Sequence, residues 1–175
     1  ERAPAIEELY SRGAHIATLT YDLGNPALSK ERSQNVDLSY KLQRDAWSVQ
    51  ASVFRNAVRN FVYGASVDDN GDGIADRVTA DGELVAGAEL LKREFINVNA
   101  RFTGAELALA YAPVQGFGFT AMADTVRGVI TGNHTDNLPR MSPSRIGAKL
   151  TWRSTSKAGW YADAGATHVM NQSRV

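Results

Sequence analysis

The side chains best equipped for chemistry stand together in one short run. Asp68-Asp69-Asn70-Gly71-Asp72-Gly73-Ile74-Ala75-Asp76 places Asp or Asn at alternate positions and then glycine, with a further Asp behind. Calcium takes about six to eight oxygen ligands, and Asp68, Asn70, Asp72 and Asp76 can converge on such an ion once glycine permits a sharp turn. A complete EF-hand loop would close on a bidentate Glu at its twelfth position. That place holds Ala80 when counted from Asp69 and Thr79 when counted from Asp68. The run therefore matches the shorter Asp-rich calcium loop, and it matches equally a solvated acidic hairpin tip in which Asp-Gly supplies turn chemistry.

Other chemistry is sparse. His15, His134 and His168 are the three imidazoles available to metal or haem, and a lone histidine on a loop is more often a solvated side chain than a ligand. No Ser-His-Asp arrangement, glycine-rich phosphate loop or pair of working carboxylates stands out. Gly116-Phe117-Gly118 reads as a turn entering a strand, because a nucleotide site would need a helix after it. The expectation is a protein that is not an enzyme.

Bulk properties narrow the classes further. The 175 residues carry 19 basic and 19 acidic side chains. A net charge of zero removes the electrostatic reason to propose nucleic acid, which demands a basic excess against phosphate. The absence of cysteine excludes disulfide scaffolds and thiolate metal sites. No apolar run approaches the roughly 18 to 20 residues of a membrane-spanning helix.

The elements that must position these residues are strands. Val36, Leu38, Tyr40 and Leu42 alternate with Asn35, Asp37, Ser39, Lys41 and Gln43, a period of two that a strand with unlike faces explains. The device recurs at Trp47, Val49, Ala51 and Val53, and again at Ile96, Val98, Ala100 and Phe102. Beyond Thr103 the apolar parity changes to Ala105, Leu107, Leu109 and Tyr111, so a bulge at Thr103-Gly104 is expected to realign the faces. Three further strands hold Phe117, Phe119, Ala121 and Ala123; Ile146, Ala148, Leu150 and Trp152; and Trp160, Ala162, Ala164 and Ala166. Six strands result. Val36, Val49, Val98, Leu107, Ala121, Leu150 and Ala162 are expected to share one side.

The connections between them alternate in length. Short turns lie near 44–46, 112–116 and 154–158, and long polar loops occupy roughly 64–90 and 131–143. A soluble β-sandwich has no reason to sort its loops in this way, whereas an outer-membrane barrel has short periplasmic turns, long extracellular loops, a polar lumen and an apolar exterior. Trp47, Tyr111, Phe117, Trp152 and Trp160 flank the short turns on the apolar parity, where an interfacial aromatic belt would lie. The expected fold is all-β: an antiparallel up-and-down meander forming a partial segment of a transmembrane β-barrel.

The stretches ERAPAIEELY, GNPALSKERSQNVDLSYK, WSVQASVFRNAVRNFVY, ARFTGAELALAY and NLPRMSPSRIGAKLTW resemble, in order and spacing, the barrel of TonB-dependent outer-membrane receptors over nearly the whole chain. Arg2-Ala3-Pro4 with Glu7-Glu8-Leu9-Tyr10, the Asn25 to Ser33 run, and Leu138-Pro139-Arg140 ahead of Arg145 carry the likeness. Such receptors import a scarce nutrient (a ferric siderophore, haem, cobalamin or a metal) with energy delivered by the TonB complex. A typical member adds an N-terminal plug and has about twenty-two strands, so 1–175 is expected to be an internal barrel segment lacking the plug and the remaining strands.

The resemblance also implies site residues. Ser11-Arg12-Gly13-Ala14-His15-Ile16-Ala17-Thr18 resembles an extracellular segment of the zinc-uptake branch, which makes His15 the expected zinc contact. Arg2, Arg140 and Arg145 would anchor loops by pairing with carboxylates such as Glu7, Glu8 or Asp124. The leading expectation is an outer-membrane receptor for zinc, with siderophore or haem next, partnered by lipid and the TonB complex. The alternatives are a soluble calcium-binding β-domain with an adhesive role and a passive porin-like barrel.

Overall fold

The computed structural model describes residues 1–132, 135–156 and 159–172. In chain order these form helix α1 (Ile6–Tyr10), strand β1 (Arg12–His15), a 3-10 turn (Ile16–Thr18), β2 (Thr20–Leu23), β3 (Arg32–Arg44), β4 (Trp47–Ser66), β5 (Arg77–Val78), β6 (Leu90–Tyr111), β7 (Phe117–Thr131), β8 (Asp136–Asn137), β9 (Arg145–Arg153) and β10 (Tyr161–Val169). All six expected strands are present, and their order of pairing is β3 to β4, β4 to β6, β6 to β7, β7 to β9 and β9 to β10. Each therefore pairs with its neighbour in sequence, as a meander requires. The chain divides into two compact units, Glu1–Ser33 with Val58–Ala100, and Gln34–Ala57 with Arg101–Val175.

In the second unit the ladders place like residues together. Phe117, Phe119, Ala121 and Ala123 lie opposite Trp152, Leu150, Ala148 and Ile146, and these in turn lie opposite Ala162, Ala164, Ala166 and His168. Directly opposed residues in an antiparallel ladder point to the same side, so one face is almost wholly apolar. The other face carries the Lys149–Asp163 ion pair at 3.0 Å and the Arg145–Asp124 pair at 3.1 Å. Val36, Leu38, Tyr40, Leu107, Phe117 and Leu150 are exposed. They do not converge into a closed core between two sheets, so the sandwich alternative does not hold.

The expected bulge at Thr103-Gly104 is absent. Trp47 stacks on Tyr111 at 4.0 Å, and Phe54 covers Gly104; seven residues forward on β4 (54 − 47) match seven residues back on β6 (111 − 104). No residue has been inserted between. Phe102 packs against the Gly128 position beside Leu138 and Met141, which keeps Phe102 and Gly104 on one face. What changes is which face is apolar: β4 passes from Trp47, Val49, Ala51 and Val53 to Phe54 and the buried Val58 and Val62, just where β6 passes from Leu107 and Ala105 to Phe102 and the buried Ala100. Of the residues expected to share one side, Val98 alone belongs to the first unit, and its parity along β6 differs from that of Leu107.

The first unit contains what periodicity did not announce. β1 and β2 form an antiparallel hairpin, and β2 runs parallel to β6, a pairing outside the expected meander. Tyr21, Val78 and Leu90 form its small core. Thr20 and Asp22 are buried as well as Tyr21, so the polar and apolar alternation of Thr20-Tyr21-Asp22-Leu23 spans only four residues and does not separate a covered from an open face.

Candidate functional site

His15 ends β1 and lies opposite Thr20 across the hairpin. Leu19 closes the connection in the left-handed region, with φ 51°, and the Thr18 hydroxyl donates to the His15 carbonyl at 3.3 Å. Thr20 and Asp22, two residues apart, share a face of β2. Asp22 is in direct register with Arg93 of β6, and the guanidinium donates to it from Nε at 2.9 Å and from Nη2 at 2.7 and 2.9 Å, with a further bond to Thr20 Oγ1 at 3.2 Å. The His15 Nε2 atom stands 3.6 Å from Asp22 Oδ2; the imidazole is 54% exposed and the carboxylate 8%. A half-exposed imidazole thus stands over a buried carboxylate already engaged by a fork of guanidinium donors. Among the described residues no group of three or more His, Cys, Asp or Glu side chains is placed to hold a metal ion. Asp22 and Arg93, the partners that define the surroundings of His15, carry no motif in the sequence.

His134 lies outside the described residues. His168 falls on the apolar face opposite Ile146, away from a polar interior.

The acidic run forms a turn that uses its oxygens internally. The Asp68 carboxylate accepts the backbone N–H groups of Gly71 at 2.7 Å, Asp72 at 3.2 Å and Gly73 at 2.9 Å. Asn70 Oδ1 accepts from Asp72 N–H at 3.0 Å, and Asp72 Oδ1 from Ile74 N–H at 2.7 Å. Asp76, buried, accepts from Asp69 N–H at 2.9 Å, while Asp69 pairs with Lys92. Gly71 and Gly73 take φ of 72° and 83°, values that non-glycine residues seldom adopt. Each of the four expected calcium ligands thus closes part of the turn, and among the described residues Asp68, Asp72 and Asp76 do not form a group placed to hold a metal ion.

Two of the three motif arginines, Arg2 and Arg145, anchor carboxylates as expected; among the described residues Arg140 has no carboxylate partner. Arg2 donates to Glu8 at 3.0 Å through both Nη atoms and to Glu31 at 2.9 and 2.8 Å, tying the first residues to α1 and to the segment entering β3. The Arg2 bonds hold the Glu31 carboxyl below the usual carboxylate range, helped by the Val62 N–H and opposed by burial; the same bonds raise the Arg2 guanidinium. Arg145 donates to both oxygens of Asp124 at 3.1 Å. Arg140 sits in a turn with φ 61°.

Comparison with known proteins agrees with this architecture. The family model described as TonB dependent receptor-like, beta-barrel, matches residues 1–175. The chain is 27% identical over 192 residues to the heme/hemopexin utilization protein C of Haemophilus influenzae strain 86-028NP, covering 99% of this chain and 24% of the relative. It is also 27% identical over 193 residues to the protein of the same name from strain ATCC 51907 / DSM 11121 / KW20 / Rd, covering 99% and 25%. The chain thus spans about a quarter of the length of these curated relatives. Among solved structures, the copper transporter OprC superposes with a TM-score of 0.75 over 99% of this chain and 23% of that one, at 18% identity, a likeness of fold.

Proposed function

Because the chain belongs to the TonB-dependent receptor β-barrel family and its place is the outer membrane, we propose that it forms part of the wall of a receptor for nutrient import, with haem as substrate. The TonB complex supplies the energy to the whole receptor, and the chain carries out no enzymatic step. The observation that carries the haem reading is the setting of His15. A haem iron arrives with four porphyrin nitrogens and takes an axial ligand or two, so one exposed imidazole is enough; zinc takes about four protein or water ligands. The carboxylate of Asp22 is placed to orient the imidazole, as second-shell carboxylates commonly do. The name of the relatives at 27% identity points the same way.

Zinc is the second reading, favoured by the 3.6 Å approach of His15 to Asp22. It must compete with Arg93 for that carboxylate. A ferric siderophore, whose iron is already coordinated, would need neither residue. A soluble calcium-binding adhesive role leaves the long exposed apolar face unexplained.

The test is titration of the full receptor with haemin, followed at the Soret band. His15→Ala is expected to weaken haem binding more than tenfold, about 1.4 kcal/mol or more, with barrel assembly unchanged. Unchanged haem affinity in that variant would overturn the assignment of His15. Saturable zinc binding lost with His15→Ala would move the substrate to zinc.

A further inference from the structure

Three arginines that the import reading does not use stand together. Arg55 of β4, Arg101 of β6 and Arg127 of β7 line one cavity of about 310 Å³ with Thr103, Val129 and Thr135. Strand alternation puts them on the continuation of the face that is apolar nearer the short turns. Arg55 follows Val53 by two residues, Arg101 and Thr103 precede Ala105 and Leu107 in steps of two, and Arg127 continues the series from Phe117 to Ala123. The matched spacing of Trp47–Tyr111 and Phe54–Gly104, with Phe102 on the face of Gly104, secures this, since a bulge at Gly104 would have sent Arg101 to the other face. Among the described residues none of the three guanidiniums has a hydrogen bond or an ion pair with the rest of the chain. The nearby carboxylates Glu106 and Asp124 stand one residue out of phase, on the opposite face, and Asp124 is taken by Arg145.

Three like charges stand exposed around one cavity, and an anion placed among them would relieve their mutual repulsion. Guanidinium forks match phosphate oxygens in pairs. What lies beside the cavity identifies the carrier of that phosphate. On the same face Val53, Leu107, Ala123 and Ile146 line a second cavity of about 450 Å³, apolar in character, which a free anion would not fill. We infer that Arg55, Arg101 and Arg127 form a binding site for the phosphorylated headgroup of an outer-leaflet lipid, whose acyl chains lie along the Val53, Leu107 and Ile146 surface. This inference rests on the outer-membrane location and is independent of which nutrient is imported.

The test uses the full receptor in a neutral maltoside micelle, with lipid A as the bisphosphorylated probe and binding read by native mass spectrometry. Wild type is expected to retain lipid A, and the combined Arg55→Ala, Arg101→Ala and Arg127→Ala variant to bind it at least tenfold more weakly. Lipid A stripped of its phosphates should bind both proteins equally weakly, and millimolar inorganic phosphate should not displace lipid A from wild type. Undiminished lipid A binding by the triple variant would overturn the inference. Full displacement by inorganic phosphate would overturn it too, by showing a site for a soluble anion. Should the triple variant lose its heat-modifiable mobility and so prove misfolded, Arg101→Ala alone is measured, with at least a threefold loss expected and no loss overturning the inference.

Discussion

The ring of Phe54 lies over Gly104, so closely that a Cβ at residue 104 would come within 2.5 Å of the ring Cζ and 2.8 Å of the Thr125 carbonyl oxygen. Gly104→Ala should therefore destabilise the barrel wall by about 1–3 kcal/mol through overpacking. Pairing it with Phe54→Leu should recover most of the loss. Urea unfolding of the receptor in lipid, comparing the single and double variants, checks this. Equal losses in both would mean that the glycine serves backbone conformation and not the ring.

Trp47 and Tyr111 stack across the β4 and β6 ends with an interplanar angle of 25°. A double-mutant cycle of Trp47→Leu and Tyr111→Leu should return a coupling of about 0.5–1.5 kcal/mol beyond area burial. A coupling near zero would reduce the pair to two independent interfacial anchors.

Arg2 clamps α1 to the segment entering β3 through Glu8 and Glu31. Since the carboxyl of Glu31 is lowered in the fold, its stabilising contribution is complete above the ordinary carboxylate pKa of about 4.3 and is lost as pH falls through the lower folded value. Hydrogen exchange of 1–10 should accelerate in that acid window, and Glu31→Gln should abolish the pH dependence. With Arg2 nearly half exposed, Arg2→Ala should cost only about 1 kcal/mol locally.

Asp22 and Arg93 should matter to folding where His15 matters to binding. Arg93→Ala leaves a carboxylate of 8% exposure without its partner and should cost about 3 kcal/mol. His15→Ala, at a half-exposed position, should cost under about 1 kcal/mol. Thermal unfolding of the two variants beside the haem titration separates the roles, and a large stability loss in His15→Ala would make its binding defect uninterpretable as ligation.

The turn from Asp68 to Asp76 should hold its shape without a cation. Asp68→Ala removes the acceptor of three N–H groups and should raise the exchange rates of Gly71, Asp72 and Gly73 by about tenfold or more, as expected for the loss of roughly 1.4 kcal/mol. Millimolar calcium should leave the same amides unchanged in wild type. Slowed exchange that saturates with calcium and disappears in Asp72→Ala would establish the turn as a calcium site.

The meander was legible in the sequence because alternation is a local property. A strand with lipid on one side writes that fact at every second residue, and Val36 to Leu42 or Phe117 to Ala123 can be read without knowing any partner. The sorting of loops into short and long was equally local. The tertiary structure alone decided three matters. A change of apolar parity within β6 has two explanations, an inserted residue or a change of surroundings, and only the matched spacing of Trp47–Tyr111 and Phe54–Gly104 selects the second. The short strands β1 and β2 were hidden because four residues each are too few to display a period, and the burial of Thr20 and Asp22 depends on Arg93, which stands 71 residues beyond Asp22. Both the His15 setting and the Arg55, Arg101 and Arg127 cluster are assembled the same way, from residues on separate strands. Their spacing along the chain is fixed by loop lengths and strand register, and so carries no trace of the chemistry that brings them together.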